Sequence, residues 1–352
     1  MRLSMSGVLV LIGSMLVGRS FANAAEPETV CGDVNGDAGI NISDAVYLLN
    51  HLFLGGDAPV CLLTRVEDEE PSCGSFSRKA TEACRHRALA EYWRARAVCD
   101  GLSGAADVAA CRESARDELD STLEMCDEQL ETRLEVCERA GTPPYDRTID
   151  PQDFSAGVEN PYLPLAPGLT LIYESADEEG VRRNEVSVTD ETREVLGVRC
   201  VVVRELETLD GVVVEETEEW FANDAEGNVW NFGERSFDFE DAEVADWGQW
   251  QAGVDGAQAG IVMKGEPRPG DVYYQELVLG VSEDVAEVLS VTESIPLSSG
   301  SFENCIQLQE FSVLEDEAEH KFFAPGWGMV LEVDLETGRR LELVERRLDS
   351  NR

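Results

Sequence analysis

Six of the ten cysteines are placed as mirror images along the chain. The intervals of 11 and 15 residues that separate the first three recur in reverse order among the last three. On two antiparallel helices, equal intervals bring opposite residues level with each other. The spacing therefore predicts a helical hairpin over residues 73–141 that is laced by three disulfides, Cys73–Cys137, Cys84–Cys126 and Cys99–Cys111.

The segments between these cysteines are typical of helices with one narrow buried side. On the first segment, Cys84, Ala88 and Tyr92 share a face, and charged residues cover most of the rest. Two such helices bury little apolar surface, so each disulfide would contribute typically about 2–4 kcal/mol. A metal site is the competing interpretation, but the sequence lacks both the C-x₂₋₄-C spacing of zinc sites and a redox C-x-x-C motif. The spacing leaves open whether the hairpin is an interaction arm or a spacer.

Residues 1–25 have the pattern of a secretory signal peptide. Arg2 gives a basic start, the apolar run 8–17 is too short to cross a bilayer, and residues 22–24 (Ala-Asn-Ala) match a cleavage site. We therefore expect a secreted or periplasmic mature protein without a membrane span. An even number of cysteines suits the oxidising compartments outside the cytoplasm.

The chain is strongly acidic, with 71 Asp and Glu against 28 Lys and Arg and a formal net charge of −43. Such a charge repels phosphate groups and argues against nucleic acid or an anionic membrane surface as a partner. Solubility alone would account for the acidity, and binding of divalent cations would also suit it. Hydrophobic residues still make up 43% of the chain, enough for a substantial core.

Oxygen-bearing residues recur at short intervals in the segment that begins at Cys31. A calcium ion takes six to eight oxygen ligands, and a short flexible loop can supply them from positions 1, 3, 5, 7, 9 and 12. The predicted ligands are Asp33, Asn35, Asp37, Gly39 through its carbonyl, Asn41 through water, and Asp44. A helix-forming run over 45–54 follows and ends at Gly55-Gly56. The sequence therefore predicts a calcium-binding module over residues 31–61, with Cys31 and Cys61 tying its ends together.

This module resembles a single type I dockerin repeat, a loop-and-helix relative of the EF-hand. The resemblance implies calcium as the cofactor and a cohesin-like protein as a partner, often in extracellular polysaccharide breakdown. The segment departs from the pattern in two ways: Ala38 stands at the sixth loop position, where glycine is usual, and the sequence holds no second repeat. We favour a calcium-stapled mini-domain, with docking to a partner as the alternative.

Alternating apolar runs replace the helical pattern after Pro143-Pro144. About ten short runs of this kind, with turn signals such as Asp210-Gly211 between them, indicate antiparallel strands over residues 145–352. A curved sheet or half-barrel would close such a domain. The sequence thus predicts a multi-domain α+β protein: a dockerin-like calcium loop and helix, a disulfide-laced antiparallel hairpin, and an antiparallel β half-barrel or curved sheet.

Three segments of the β domain are distinctive: residues 160–168 (Asn-Pro-Tyr-Leu-Pro-Leu-Ala-Pro-Gly), 300–305 and 323–330. Together they resemble an uncharacterised family of secreted bacterial β-proteins over most of this domain. The resemblance implies a β fold and no particular activity. In shape, the family is similar to lipoprotein-carrier half-barrels, an analogy of fold only.

Catalytic signals are weak in the β domain. Of three histidines in the chain, His320 lies in this domain, and the sequence lacks G-x-S-x-G, H-E-x-x-H and Gly-rich phosphate-loop motifs. Acidic pairs could serve glycoside hydrolysis, but in so acidic a chain they also arise by chance. Glu218 and Glu219 are predicted to be a solvent face beside a core Trp220. We expect a non-catalytic binding or structural role, with a hydrolase as the alternative.

Aromatic residues make ligand binding the stronger expectation for this domain. Trp247 and Trp250 lie in a polar, Gly-rich stretch and are predicted to be an exposed pair. Such a pair could contact an extracellular glycan or an apolar ligand. Cys200 and Cys305 each begin a predicted strand and are expected to form a further disulfide or to pack in the core.

Overall fold

The computed structural model describes residues 72–140, 149–154, 159–177, 180–240, 243–315 and 317–348. The predicted signal peptide lies outside these ranges. So does the dockerin-like module, with Cys31, Cys61 and all six predicted calcium ligands. In the described part of the chain, no helix is both long enough and apolar enough to cross a membrane.

Two long helices form the predicted hairpin, α1 (Cys73–Asp100) and α2 (Ala105–Ala140). The hydroxyl of Ser72 accepts a hydrogen bond from the Ser75 amide, and the Ser75 hydroxyl accepts one from the Ser72 amide, so a capping box starts α1. The three predicted disulfides are present: Cys73–Cys137, Cys84–Cys126 and Cys99–Cys111, with Cα atoms 5.6, 5.9 and 5.5 Å apart. The mirrored spacing is thereby confirmed as a ladder between antiparallel helices.

Beyond a short 3-10 helix (Pro151–Phe154), the described chain forms fourteen strands in one antiparallel sheet. They are β1 (Leu169–Asp177), β2 (Gly180–Val195), β3 (Val198–Leu209), β4 (Val212–Asn223), β5 (Val229–Glu240), β6 (Glu243–Gln251), β7 (Gln258–Met263), β8 (Val272–Tyr274), β9 (Glu276–Leu277), β10 (Asp284–Leu297), β11 (Gly300–Ser312), β12 (Ala318–Ala324), β13 (Gly328–Asp334) and β14 (Arg340–Leu348).

The sheet closes almost completely into a barrel. Its strand order is β8-β10-β11-β12-β13-β14-β1-β2-β3-β4-β5-β7-β9, and β6 also pairs with β5. The two ends of this order, β8 and β9, are separated in sequence by Gln275 alone. One short segment thus pairs with β10 on one side and with β7 on the other. The predicted half-barrel is confirmed in outline, and it is closer to full closure than the sequence indicated.

The turn predicted at Asp210-Gly211 is present between β3 and β4. Asp210 and Gly211 join β3 to β4 with φ angles of 51° and 80°. Positive φ at both central residues defines the type I′ turn, whose twist matches that of the flanking strands.

The hairpin packs against the outside of the barrel near its closing segment. Val136 and Ala140 of α2 and Phe76 of α1 meet an apolar patch of the barrel wall, formed by Val272, Tyr274, Leu277, Val285, Phe311 and Val313. Next to this patch, Arg133 makes a two-pronged ion pair with Glu283, with Nε–Oε2 and Nη2–Oε1 distances of 2.8 Å. The two side chains are 2% and 0% exposed, so this pair is part of the interface core.

Candidate ligand-binding lumen

The strand register divides the sheet into two faces. Side chains alternate along a strand, and directly paired residues share a face. Tyr173 is paired with Asn184, and Asn184 with Glu207. Glu205 lies two positions from Glu207 along β3 and is paired with Thr217 on β4. These residues therefore belong to one face of the sheet, which we call the inner face.

The inner face is apolar at one end and acidic in the middle. Leu171, Val188, Val203, Ile306 and Phe323 form the apolar layer. Next to it, nine glutamates of the described strands share the inner face by register or contact: Glu205, Glu207, Glu215, Glu219, Glu234, Glu276, Glu310, Glu319 and Glu332. We call these the lumen glutamates.

Electrostatic coupling across the sheet shows that this face is concave. Lys321 lies on β12, and its charge lowers the pKa of Glu205 on β3 and of Glu219 on β4 against the larger, opposite effect of burial. In the strand order, β13, β14, β1 and β2 separate β12 from β3. The two walls can interact only across the interior of the barrel, which we call the lumen.

Lys321 is held by three of the lumen glutamates. Its Nζ lies 2.8 Å from Oε2 of Glu310, 3.2 Å from Oε2 of Glu319 and 3.7 Å from Oε2 of Glu332. Burial opposes its charge, yet these carboxylates raise the pKa of Lys321 well above its usual value. The side chains of Lys321 and Glu332 are each 25% exposed, so the lumen still has room for water.

For several lumen glutamates, the charged carboxylate is less stable in the lumen than it would be in water. Burial raises the pKa of Glu205, and it raises the pKa of Glu219 further, with added repulsion from Glu205 and Glu276. Burial also raises the pKa of Glu332 to about 7, even though Lys321 pulls it down. All three shifts have the same sign, and burial is the largest cause of each.

Glu219, Glu234 and Glu276 converge at one side of the lumen. One carboxylate oxygen of each lies within 4.8 Å of the others. Glu219 and Glu234 are directly paired across β4 and β5, and Glu276 reaches them from β9. Asn231 donates to Oε1 of Glu276 at 3.0 Å and the Ser282 hydroxyl to Oε2 at 2.6 Å, which fixes the orientation of that carboxylate.

Among the buried polar atoms of the inner face that have no hydrogen-bond partner within the described residues, two lie beside lumen glutamates. One is Oδ1 of Asn184, a residue 5% exposed, whose Nδ2 donates to Glu205. The other is Nε1 of Trp250, a residue 8% exposed, which is paired directly with Glu234. Because an unmet buried donor or acceptor costs about 1–3 kcal/mol, these atoms mark places where a ligand or its water would be stabilised.

The predicted exposed pair of tryptophans is split between the two faces. Trp247 is 61% exposed, whereas Trp250 is buried and turned inward. The prediction of an exposed Trp250 is wrong because three residues along a strand reverse the face. Trp250 nevertheless lies beside the acidic cluster, since it is paired with Glu234.

Glu218 and Glu219 are divided in the same way. Glu218 faces outward and accepts hydrogen bonds from Arg204 at 3.0 Å and Arg235 at 2.6 Å. Trp220 is 1% exposed on that outer side, as a core tryptophan should be. The prediction that Glu219 is part of the solvent face is wrong, because its side chain lies on the inner face, opposite to Glu218.

Cys200 and Cys305 do not form a disulfide. Both thiols are free and buried. They lie on β3 and β11, which are not neighbours in the sheet. Burial raises the pKa of Cys200 to about 12 and that of Cys305 to about 11. They are inert core residues rather than nucleophiles.

No family model matches the chain, and no curated protein matches it. Among solved structures, the chain is similar to a putative lipoprotein from Parabacteroides distasonis ATCC 8503, at 12% identity and a TM-score of 0.31. The likeness covers 54% of this chain and 100% of that one. A TM-score of this size does not establish a shared fold, so the similarity says nothing about function.

Proposed function

We propose that this chain is an exported, non-catalytic binding protein whose barrel takes a hydrophilic, cationic ligand into its lumen. The observation that carries the proposal is the set of nine lumen glutamates, against which Lys321 and Arg182 supply positive charge. Such a surplus of carboxylates in an enclosed space attracts cations strongly, because low surrounding polarity strengthens each charge interaction.

The raised pKa values of Glu205, Glu219 and Glu332 support this proposal in energetic terms. Each shift means that the charged carboxylate is less stable in the lumen than in water. A bound cation would supply the missing counter-charge and restore the ionised form. The same charge disfavours the apolar ligand that the aromatic content suggested, and it leaves an amine-bearing glycan compatible with the lumen.

The dockerin-like module completes the proposal at the N-terminal side. Residues 31–61 would bind calcium through Asp33, Asn35, Asp37, Gly39, Asn41 and Asp44. Calcium-dependent folding of this module would then present a surface to a cohesin-like protein or an extracellular glycan. The three disulfides of the hairpin are in keeping with an extracytoplasmic location, where such bonds persist.

One observation favours a second candidate, a carboxylate-based hydrolase. The pKa of Glu219 is raised well above that of an ordinary glutamate, and Glu234 and Glu276 lie beside it. A protonated carboxyl next to an ionised one is the arrangement that glycoside hydrolysis requires. Release of reducing sugar from a soluble polysaccharide, lost in a folded Glu219→Gln variant, would establish this candidate and displace the non-catalytic one.

The binding proposal is tested by calorimetric titration of the full-length exported protein at low ionic strength. To silence the predicted calcium loop, the protein carries Asp33→Ala, and the probes are spermidine, Mn²⁺ and laurate. We expect at least one cationic probe to bind with one-to-one stoichiometry and to weaken with added salt. Glu205→Gln should reduce this binding, whereas the exposed Glu216→Gln on the neighbouring strand should leave it unchanged.

Two results would overturn the proposal. The first is that neither cation binds, or that laurate binds instead. The second is cation binding that Glu205→Gln does not alter, which would place the ligand outside the lumen.

A further inference from the structure

We propose that Glu219, Glu234 and Glu276 form a metal site that binds one hard divalent cation, separate from the predicted calcium loop. This inference rests on the proposed cation-binding function and names the ligand. The three side chains come from β4, β5 and β9, so strands of the barrel wall hold all three ligands of the site.

The spacing of the carboxylates suits a single ion. Calcium binds oxygen ligands at about 2.3–2.6 Å, which puts ligand oxygens on opposite sides of one ion up to roughly 5 Å apart. One oxygen of each glutamate already lies within 4.8 Å of the other two. One ion can therefore reach all three carboxylates with side-chain adjustments alone. Carboxylate ligands without cysteine or histidine favour calcium, magnesium or manganese over softer metals.

Neighbouring residues hold one of these ligands in place. Asn231 is 0% exposed, and its Nδ2 donates to Oε1 of Glu276. The Ser282 hydroxyl donates to the other oxygen, Oε2. Hydrogen bonds of this kind orient metal-binding carboxylates and are often nearly as important as the ligands themselves.

One orphaned polar atom points independently to a hydrated ion at this place. Three carboxylates provide only part of the six to eight oxygens that calcium takes, and water completes the set. Trp250 is paired with Glu234, so its side chain lies on the same face beside this carboxylate. It is 8% exposed, and its buried Nε1 lacks an acceptor among the described residues. Ordered water around an ion would accept a hydrogen bond from this indole.

Binding of Mn²⁺ to the full-length, disulfide-bonded protein tests the inference, because bound and free Mn²⁺ are distinguished by electron paramagnetic resonance. The protein carries Asp33→Ala, is first treated with chelator, and is also titrated with Ca²⁺ in competition. We expect one Mn²⁺ per chain. Glu219→Gln should weaken its affinity at least about tenfold. Glu216→Gln changes an exposed glutamate of the same strand and is the matched control.

Folding of the variants is checked by thermal unfolding. Glu219→Gln keeps the shape of the side chain and replaces the carboxyl group with a neutral amide, so the barrel should remain folded. Glu234→Gln is the second variant and should weaken Mn²⁺ in the same way.

The remaining outcomes separate this inference from the proposed function. Spermidine binding that depends on Glu205, without Mn²⁺ or Ca²⁺ binding, would overturn the metal site and keep the cation-binding barrel. Binding of neither probe would overturn both. Mn²⁺ affinity that is unchanged in both glutamine variants would also overturn the metal site, because the ion would then lie elsewhere.

Discussion

Replacement of Arg133 by alanine should loosen the hairpin from the barrel at a cost of about 3–5 kcal/mol, the range for breaking a buried ion pair. Arg133 and Glu283 are 2% and 0% exposed, and two hydrogen bonds of 2.8 Å join them. Without the guanidinium, the Glu283 carboxylate would stay buried and would still accept a hydrogen bond from the Gly280 amide, at 2.8 Å. The cost therefore comes mainly from an uncompensated charge.

Urea unfolding followed by circular dichroism measures this loss, and limited proteolysis shows whether the hairpin becomes accessible first. Arg85→Ala is the control, since Arg85 is 38% exposed and its ion pairs with Glu82 and Asp127 lie at the surface. Its loss should cost less than about 1 kcal/mol. The double variant Arg133→Met with Glu283→Leu should recover most of the stability, because no buried charge remains.

Two results would refute this reasoning. A loss below about 1 kcal/mol for Arg133→Ala would mean that the carboxylate finds water or another partner when the hairpin stays docked. A double variant as unstable as the single one would mean that shape, rather than charge, determines the cost.

Three further predictions follow from other parts of the molecule. Burial raises the pKa of Glu332 from 4.5 to about 7, so its contribution to stability is complete below pH 4.5 and is lost as the pH rises through about 7. The melting temperature should therefore fall between about pH 5 and pH 8, and less steeply in Glu332→Gln than in wild type or Glu216→Gln. Thiol titration with Ellman's reagent should find Cys200 and Cys305 unreactive in the native protein and reactive after unfolding; fast native labelling would contradict their burial. Asp33→Ala should abolish tight calcium binding at the N-terminal module, as measured by calorimetry, and unchanged affinity would rule out the loop.

The hairpin was predictable from sequence because it depends only on the equal spacing of cysteines along two helices. Equal rises per residue on two helices place mirrored cysteines level with each other, whatever lies elsewhere in the chain. The Asp210-Gly211 turn was predictable for a similarly local reason, the positive φ of both residues. The calcium loop remains a prediction, since it lies outside the described residues.

The lumen could not be located from sequence, because it depends on contacts between distant strands. Alternation along β4 separates Glu218 from Glu219, but it does not say which face turns inward. That is decided by closure of the sheet and by which face the hairpin and neighbouring loops cover. A weak signal existed: Glu205 and Glu207 recur at a spacing of two, as do Glu215, Thr217 and Glu219, which places each set on one face of its strand. In a chain with 71 acidic residues, that signal does not stand out.

The same long-range dependence explains the cysteines of the β domain. Cys200 and Cys305 both lie in apolar strand contexts, which predicts burial correctly. Pairing requires neighbouring strands or facing side chains, and β3 and β11 are separated by β12, β13, β14, β1 and β2. Sequence pattern alone cannot supply that order.

The Cys73–Cys137 disulfide has a mechanical consequence. It joins the first residue of α1 to the last turn of α2 across a sequence separation of 64 residues, with Cα atoms 5.6 Å apart. A pull on the chain ahead of Cys73 would pass through this covalent bond directly to α2 and on toward the barrel. The rest of the hairpin forms a closed loop that bears no tension. The helices can thus extend roughly 40 Å beyond this disulfide without carrying the mechanical load on a tethered molecule.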